Sequence, residues 1–146
     1  LWHSSAASDV YKRQIFDRCY HSLWDVNTIL GNDMASQFYL VHHHFKPGMA
    51  ALWWGEMGKL DEAANEKMAE NWLGKGFYNH SFMPVTQESP MYCVWEVKDG
   101  TSEAEFQDFI DGPDGVNMGM KSLNNNIMKV NLELTGGVPP YERKFT

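Results

Sequence analysis

The sequence predicts an α+β fold in which strands and helices follow one another as β-α-β-β-α-β. Strand-like runs of aromatic and β-branched residues recur along the chain, only a short polar turn separates the second run from the third, and helical patterns follow the first and the third. This order is the ferredoxin-like arrangement, a four-stranded antiparallel sheet with its helices on one face. The other face is left open, and we expect a partner or an upstream domain to bury it.

The first half of this pattern begins with a strand from Gln37 to Phe45. Lys46-Pro47-Gly48 ends the strand, because proline has no amide hydrogen to donate to a sheet. A helix should follow from Met49 to about Met57. Asp61 then caps a second helical segment, which the glycine at position 74 ends.

The second half contains two strands, a helix and a last strand. The second and third strands are predicted at Phe77 to Met83 and at Met91 to Val97. Ser102 and Glu105 form a capping box that starts a helix. The fourth strand is predicted from Ile127 to Leu134, where apolar and polar residues alternate.

Four segments of the chain differ in character. The first resembles translated sequencing-adapter DNA, and we exclude it from the fold prediction. The second is either an N-terminal extension or the remnant of an upstream repeat. The third is the predicted domain, and the fourth is a C-terminal tail. These segments are residues 1–14, 15–35, 36–135 and 136–146.

Composition excludes several classes of function. The net charge is −7, and no cluster of Lys and Arg suggests nucleic-acid binding. No apolar run approaches the ~18 residues of a membrane span, so we expect a soluble protein without a membrane partner. Cys19 and Cys93 are too few for a disulfide framework, and their spacing matches no zinc motif. Because the chain begins at Leu1 and not at a methionine, the sequence leaves its compartment open.

Histidines supply the strongest functional signal. His42, His43 and His44 end the first predicted strand. Because side chains alternate along a strand, His43 faces one side of the sheet and its two neighbours face the other. His80 lies on the second strand and Glu96 on the third, where each is a candidate partner for His43.

Three motifs resemble a known superfamily. They are Phe45-Lys46-Pro47-Gly48, His80-Ser81-Phe82 with Cys93-Val94-Trp95-Glu96, and Phe109-Ile110-Asp111-Gly112-Pro113. Through them residues 37–135 resemble the dimeric α/β-barrel superfamily. They are similar to small ferredoxin-like proteins that include a nickel-binding member, and to stress-responsive barrel proteins that include polyketide cyclases.

The resemblance implies an assembly and a cavity. It implies a homodimer, or pairing with an upstream repeat, through the open sheet face. It also implies that Tyr39, Val41, His43 and Phe45 face the barrel cavity, which leaves His42 and His44 to face the helices or the end of the strand. The triple histidine is not a feature of the superfamily.

Two functions from different classes follow from these residues. The first is a small binding protein that holds a small ligand, or a divalent metal such as nickel or zinc, through His43 and His80, with Glu96, His42 and His44 as further candidate ligands. The second is a cofactor-independent enzyme of the cyclase or monooxygenase type that acts on an apolar molecule. In that enzyme His43 or His80 would be the general base, and Tyr39 or Tyr78 would hold a developing oxyanion. A purely structural module is a third interpretation.

Overall fold

The computed structural model describes residues 35–146. The predictions for residues 1–14 and 15–35 lie outside this range, apart from residue 35. None of the described helices is long and apolar enough to cross a membrane.

Four antiparallel strands form one sheet. The strands are β1 (Gln37–Phe45), β2 (Phe77–Pro84), β3 (Met91–Val97) and β4 (Leu123–Lys129). Their order across the sheet is β2-β3-β1-β4, so the strand that carries the three histidines is central. The predicted α+β class and the four-stranded antiparallel sheet are confirmed.

Three helices connect these strands. They are α1 (Ala50–Met57), α2 (Glu62–Gly74) and α3 (Glu103–Asp111). The order is therefore β-α-α-β-β-α-β, with two helices in the first connection where the ferredoxin-like order has one. Both predicted caps are present, because the Asp61 side chain accepts from the amide of Ala64 at 2.8 Å and Ser102 forms a capping box with Glu105.

All three helices pack against the same face of the sheet, which we call the helix face. Tyr39 lies opposite Trp95 in the register and packs against Phe106 of α3, with ring centroids 4.9 Å apart. Trp72 of α2 packs on Trp95 at 5.0 Å. Trp53 of α1 is buried with Met91 and Leu123. The hydrophobic core of the described residues therefore lies between the helices and the sheet.

The fourth strand differs from its prediction. It runs from Leu123 to Lys129, and Leu132–Thr135 is a 3₁₀ helix and not a strand. Asn124, Asn125 and Asn126, which lie before the predicted start of the strand, are part of β4 and pair with the three histidines of β1. Backbone hydrogen bonds to the central strand outweigh the weak strand propensity of asparagine, because that propensity depends strongly on context.

The open face of the sheet is partly covered from within the chain. Residues Tyr141–Phe145, which we call the C-terminal strap, lie over it. The Tyr141 ring stacks on His80 at 4.8 Å, and the amides of Lys144 and Phe145 donate to the carboxylate of Glu96 at 2.8 and 3.1 Å. The predicted tail is thus an ordered part of the sheet's surroundings.

Candidate functional site

His43 is buried in the middle of the sheet, on the helix face. Its side chain is 1% exposed, and it shares its face with Tyr39 and Val41 of the core. The expectation that these residues face an open barrel cavity is therefore wrong. Alternation along the strand is as predicted, but the apolar residues of β1 need apolar partners, and the helices supply those partners.

A chain of hydrogen bonds holds the His43 ring at its Nδ1 atom. Its Nδ1 atom lies 2.6 Å from Oδ1 of Asn125, the residue opposite it on β4. The amide of Asn125 donates to Oδ1 of Asp111 at 2.8 Å, and Gln107 donates to the other oxygen of Asp111, also at 2.8 Å. Charge-assisted bonds of this kind fix orientation, so the ring has one preferred pose.

The His43 side chain also lines a cavity. The cavity has a volume of about 280 Å³ and is bounded by α1, α2, the sheet and the loop before β4. Its walls are mostly apolar and include Trp53, Met68, Trp72, Phe82, Met91 and Val116. The Nε2 atom of His43 is buried, and no residue in the range 35–146 forms a hydrogen bond with it.

The environment of His43 keeps the imidazole neutral. Burial lowers its pKa below the ordinary 6.5, as does the neighbouring His42. The hydrogen bond to Asn125 and the charge of Asp111 act in the opposite direction but do not reverse the shift. A neutral imidazole has one donor nitrogen and one acceptor nitrogen, so it can bind a ligand or take up a proton.

Cys93 is the thiol in the wall of this cavity. It is 2% exposed, and burial raises the pKa of its thiol to about 11, against weaker opposing hydrogen bonds from Asn79 and Trp95. A thiol with so high a pKa has almost no thiolate at neutral pH and is not an activated nucleophile. Cys93 is therefore a small residue of the hydrophobic core.

His80 and Glu96 lie on the opposite face of the sheet from His43. Nε2 of His80 is 2.8 Å from Oε2 of Glu96, and the His80 ring packs against Phe38 at 5.5 Å. Ser36 also donates to Glu96 at 2.5 Å, in addition to the two amides of the C-terminal strap. The Glu96 carboxylate therefore accepts four hydrogen bonds, from Ser36, His80 and the two amides. The predicted pairing of His80 and Glu96 with His43 is not formed.

A β-bulge explains where His80 lies. Asn79 pairs with Trp95 and Ser81 with Val94, so His80 is an extra residue between them. The bulge shifts the alternation of β2 by one residue. Phe82 therefore reaches the helix face and the cavity, while His80 stays on the open face.

Tyr78 lines the same cavity as His43, whereas the other predicted residues lie apart from this cavity. The Tyr39 hydroxyl donates to Gln37 at 3.2 Å, near the start of β1, and the Tyr78 ring packs on His80 at 4.8 Å. His42 and His44 are on the open face, with ring centroids 4.2 Å apart. Within residues 35–146, no group of three or more His, Cys, Asp or Glu side chains is arranged to hold a metal ion.

Three polar residues of the site are absent from the sequence-based prediction. Asn125, Asp111 and Gln107 carry the hydrogen-bond chain behind His43. The run of three asparagines is a visible signal, because its length matches the run of three histidines. Only the register of β1 and β4 shows that the two runs face each other.

The fold and this site define an α+β protein with a helix-covered apolar cavity and one buried histidine. Residues 38–138 match the family described as Domain of unknown function (DUF8652), and the chain belongs to that family. No curated protein and no solved structure matches the chain.

Proposed function

We propose that the protein binds a small apolar molecule in the cavity under α1 and α2, with His43 as the polar contact. The observation that carries this proposal is the buried Nε2 atom of His43, which has no partner among residues 35–146. A buried polar atom without a partner costs free energy, and a ligand that pairs with it recovers that cost. An apolar cavity with few polar groups is the usual form of a small-molecule site.

The cavity volume limits the size of the ligand. An engineered cavity of about 150 Å³ holds benzene. A cavity of about 280 Å³ therefore suits a molecule with one or two fused rings. Aromatic and sulfur-containing walls such as Trp53, Trp72 and Met68 favour a flat, polarisable ligand.

Acid–base chemistry at the same site is our second proposal. The hydrogen-bond chain from Asp111 through Asn125 holds the His43 ring in place, as a general base requires. Of the tyrosines proposed from sequence, Tyr39 does not line this cavity and donates its hydroxyl hydrogen to Gln37, whereas Tyr78 lines the same cavity as His43. On this proposal His43 removes a proton from the bound molecule.

We also propose that the fold is a ferredoxin-like domain whose first helix is divided in two. The strand order β2-β3-β1-β4 and the antiparallel pairing support this proposal. The division falls at Gly58–Asp61, between α1 and α2, and these two helices form the roof of the cavity.

Thermal unfolding in the presence of 2-naphthol and of 2-methoxynaphthalene tests ligand binding. A ligand that binds only the folded state stabilises it by about 2.7 kcal/mol at roughly 100 times its Kd, so Tm should rise with probe concentration. Folded wild-type protein whose Tm neither probe changes would contradict the proposal.

Two substitutions on α2 locate the binding site. Ala69 and Ala63 are both exposed on α2, but only Ala69 lines the cavity. Ala69→Phe should fill the cavity and abolish the rise in Tm, and Ala63→Phe should leave it unchanged. Equal effects of the two substitutions would place the probe elsewhere.

A further inference from the structure

We infer that the ligand of this cavity carries a hydrogen-bond donor, such as a hydroxyl, thiol or N–H group, and that the His43 Nε2 atom accepts from it. This inference rests on the proposed function, and it names the chemical class of the ligand. The inference follows from the direction of each hydrogen bond in the chain that holds His43.

Two neighbouring acceptors fix the orientation of the Asn125 side-chain amide. Two acceptors lie on one side of it, Oδ1 of Asp111 at 2.8 Å and the carbonyl oxygen of Ile110 at 3.4 Å. A carboxylate and a carbonyl can only accept, so the NH₂ group of Asn125 must face them. Gln107, which donates to Asp111 at 2.8 Å, holds the carboxylate in place.

The orientation of the Asn125 amide then fixes the tautomer of His43. Because the NH₂ group of Asn125 faces Asp111, its Oδ1 atom faces Nδ1 of His43, 2.6 Å away. Two acceptors at this distance would repel each other, so Nδ1 carries the hydrogen. The neutral ring, which lines the cavity, then has its lone pair on Nε2, a buried atom without a hydrogen-bond partner among residues 35–146.

The lone pair on Nε2 limits which ligands the cavity can hold. A lone pair in an apolar cavity is satisfied only by a donor, and a ligand with acceptors alone leaves it unpaired. A carboxylate ligand would bind poorly, because that lone pair repels its charge and the apolar walls do not solvate it. The site therefore selects apolar molecules with a donor over their isosteres in which the donor is methylated.

Matched probes test this selection directly. 2-Naphthol has a hydroxyl donor, and 2-methoxynaphthalene has the same rings with the donor removed. We expect 2-naphthol to bind the wild-type protein roughly ten- to a hundredfold more tightly. In His43→Phe, which keeps a ring in the core, both probes should bind with similar affinity. His44→Phe, at an exposed position of the same strand, should keep the wild-type preference.

The outcomes separate this inference from the proposed function. Equal affinity of the two probes for the wild-type protein would overturn the inference and leave the proposed function in place. No binding of either probe would overturn both. Nitrogen NMR of the wild-type protein adds a readout that does not depend on folding of the variants. A protonated Nδ1 on His43 supports the inference, and a protonated Nε2 overturns it.

Discussion

Among the glycines in the described part of the chain, Gly115 has the least room for a side chain. A Cβ atom built there would overlap the carbonyl oxygen of Phe109 and lie 3.0 Å from that of Ile110. Both contacts are with backbone, which cannot move without disturbing the end of α3. The loop that follows Gly115 forms part of the cavity wall through Val116, so this constraint also shapes the site.

Substitution of this glycine should therefore be costly. We expect Gly115→Ala to lower the free energy of unfolding by about 1–3 kcal/mol through overpacking. Gly55→Ala is the matched control, since Gly55 lies within α1 and nothing approaches its Cβ position within 4 Å. That substitution should raise stability by about 0.4–1 kcal/mol. Urea unfolding measures both, and similar effects of the two would contradict the steric explanation.

At the scale of elements, the C-terminal strap depends on one buried carboxylate. Glu96 is fully buried and accepts hydrogen bonds from Ser36, His80 and the amides of Lys144 and Phe145. Arg143 adds a contact above the Phe38 ring, 5.4 Å from its centroid. The strap thus closes over β1 and β3 through polar anchors at its end.

Glu96→Gln tests the role of this anchor. The substituted amide keeps one acceptor but places an NH₂ group against backbone amides that can only donate. We expect the free energy of unfolding to fall by about 1–3 kcal/mol and hydrogen exchange at the amides of Lys144 and Phe145 to accelerate. Glu88→Gln, in the exposed turn between β2 and β3, should change neither quantity. Unchanged exchange in Glu96→Gln would show that other contacts hold the strap.

At the scale of the whole molecule, the buried His43 and Glu96 and the half-buried His42 make stability depend on pH in one direction. Burial lowers the pKa of His43 and of His42 below 6.5, and the adjacent His44 lowers that of His42 further. Burial alone would raise the pKa of Glu96, but hydrogen bonds from Ser36, the strap amides and His80 outweigh it and hold that pKa below 4.5. In each case the unfolded chain binds protons at a higher pH than the folded protein does.

Stability should therefore fall in two stages as pH is lowered. The contribution of the two histidines is present above pH 6.5 and is lost as pH falls below that value. The contribution of Glu96 is present above pH 4.5 and is lost below it. Urea unfolding at a series of pH values should show a flatter first stage in the His42→Phe/His43→Phe variant and a flatter second stage in Glu96→Gln. Stability that rises on acidification to pH 5 would contradict these directions.

The sequence predicts correctly the parts of this structure that depend on local signals. The breaker Lys46-Pro47-Gly48, the cap at Asp61 and the capping box at Ser102 each act through neighbouring residues, so elements next to them are close to their predicted bounds. The alternation of His43 with its neighbours was also predicted. Which side of the sheet the helices cover is a tertiary property, and it was predicted wrongly.

Two features of the site needed long-range information. The bulge at His80 changes the face of every later residue in β2, and nothing in the sequence near position 80 marks it. Asn125 becomes part of the site only because β4 pairs with β1 in one register. A shift of one residue would turn the asparagine side chain to the other face of the sheet and remove it from His43.

The buried thiol of Cys93 has a practical consequence. The chain has two cysteines, so a Cys19→Ser variant would carry Cys93 as its single thiol. Because that thiol is 2% exposed and lies in the cavity wall, a thiol reagent can reach it only while the helical roof is lifted from the sheet. The rate of labelling would then measure how often the roof opens. A bound ligand that keeps the roof closed would slow the labelling in proportion to its occupancy.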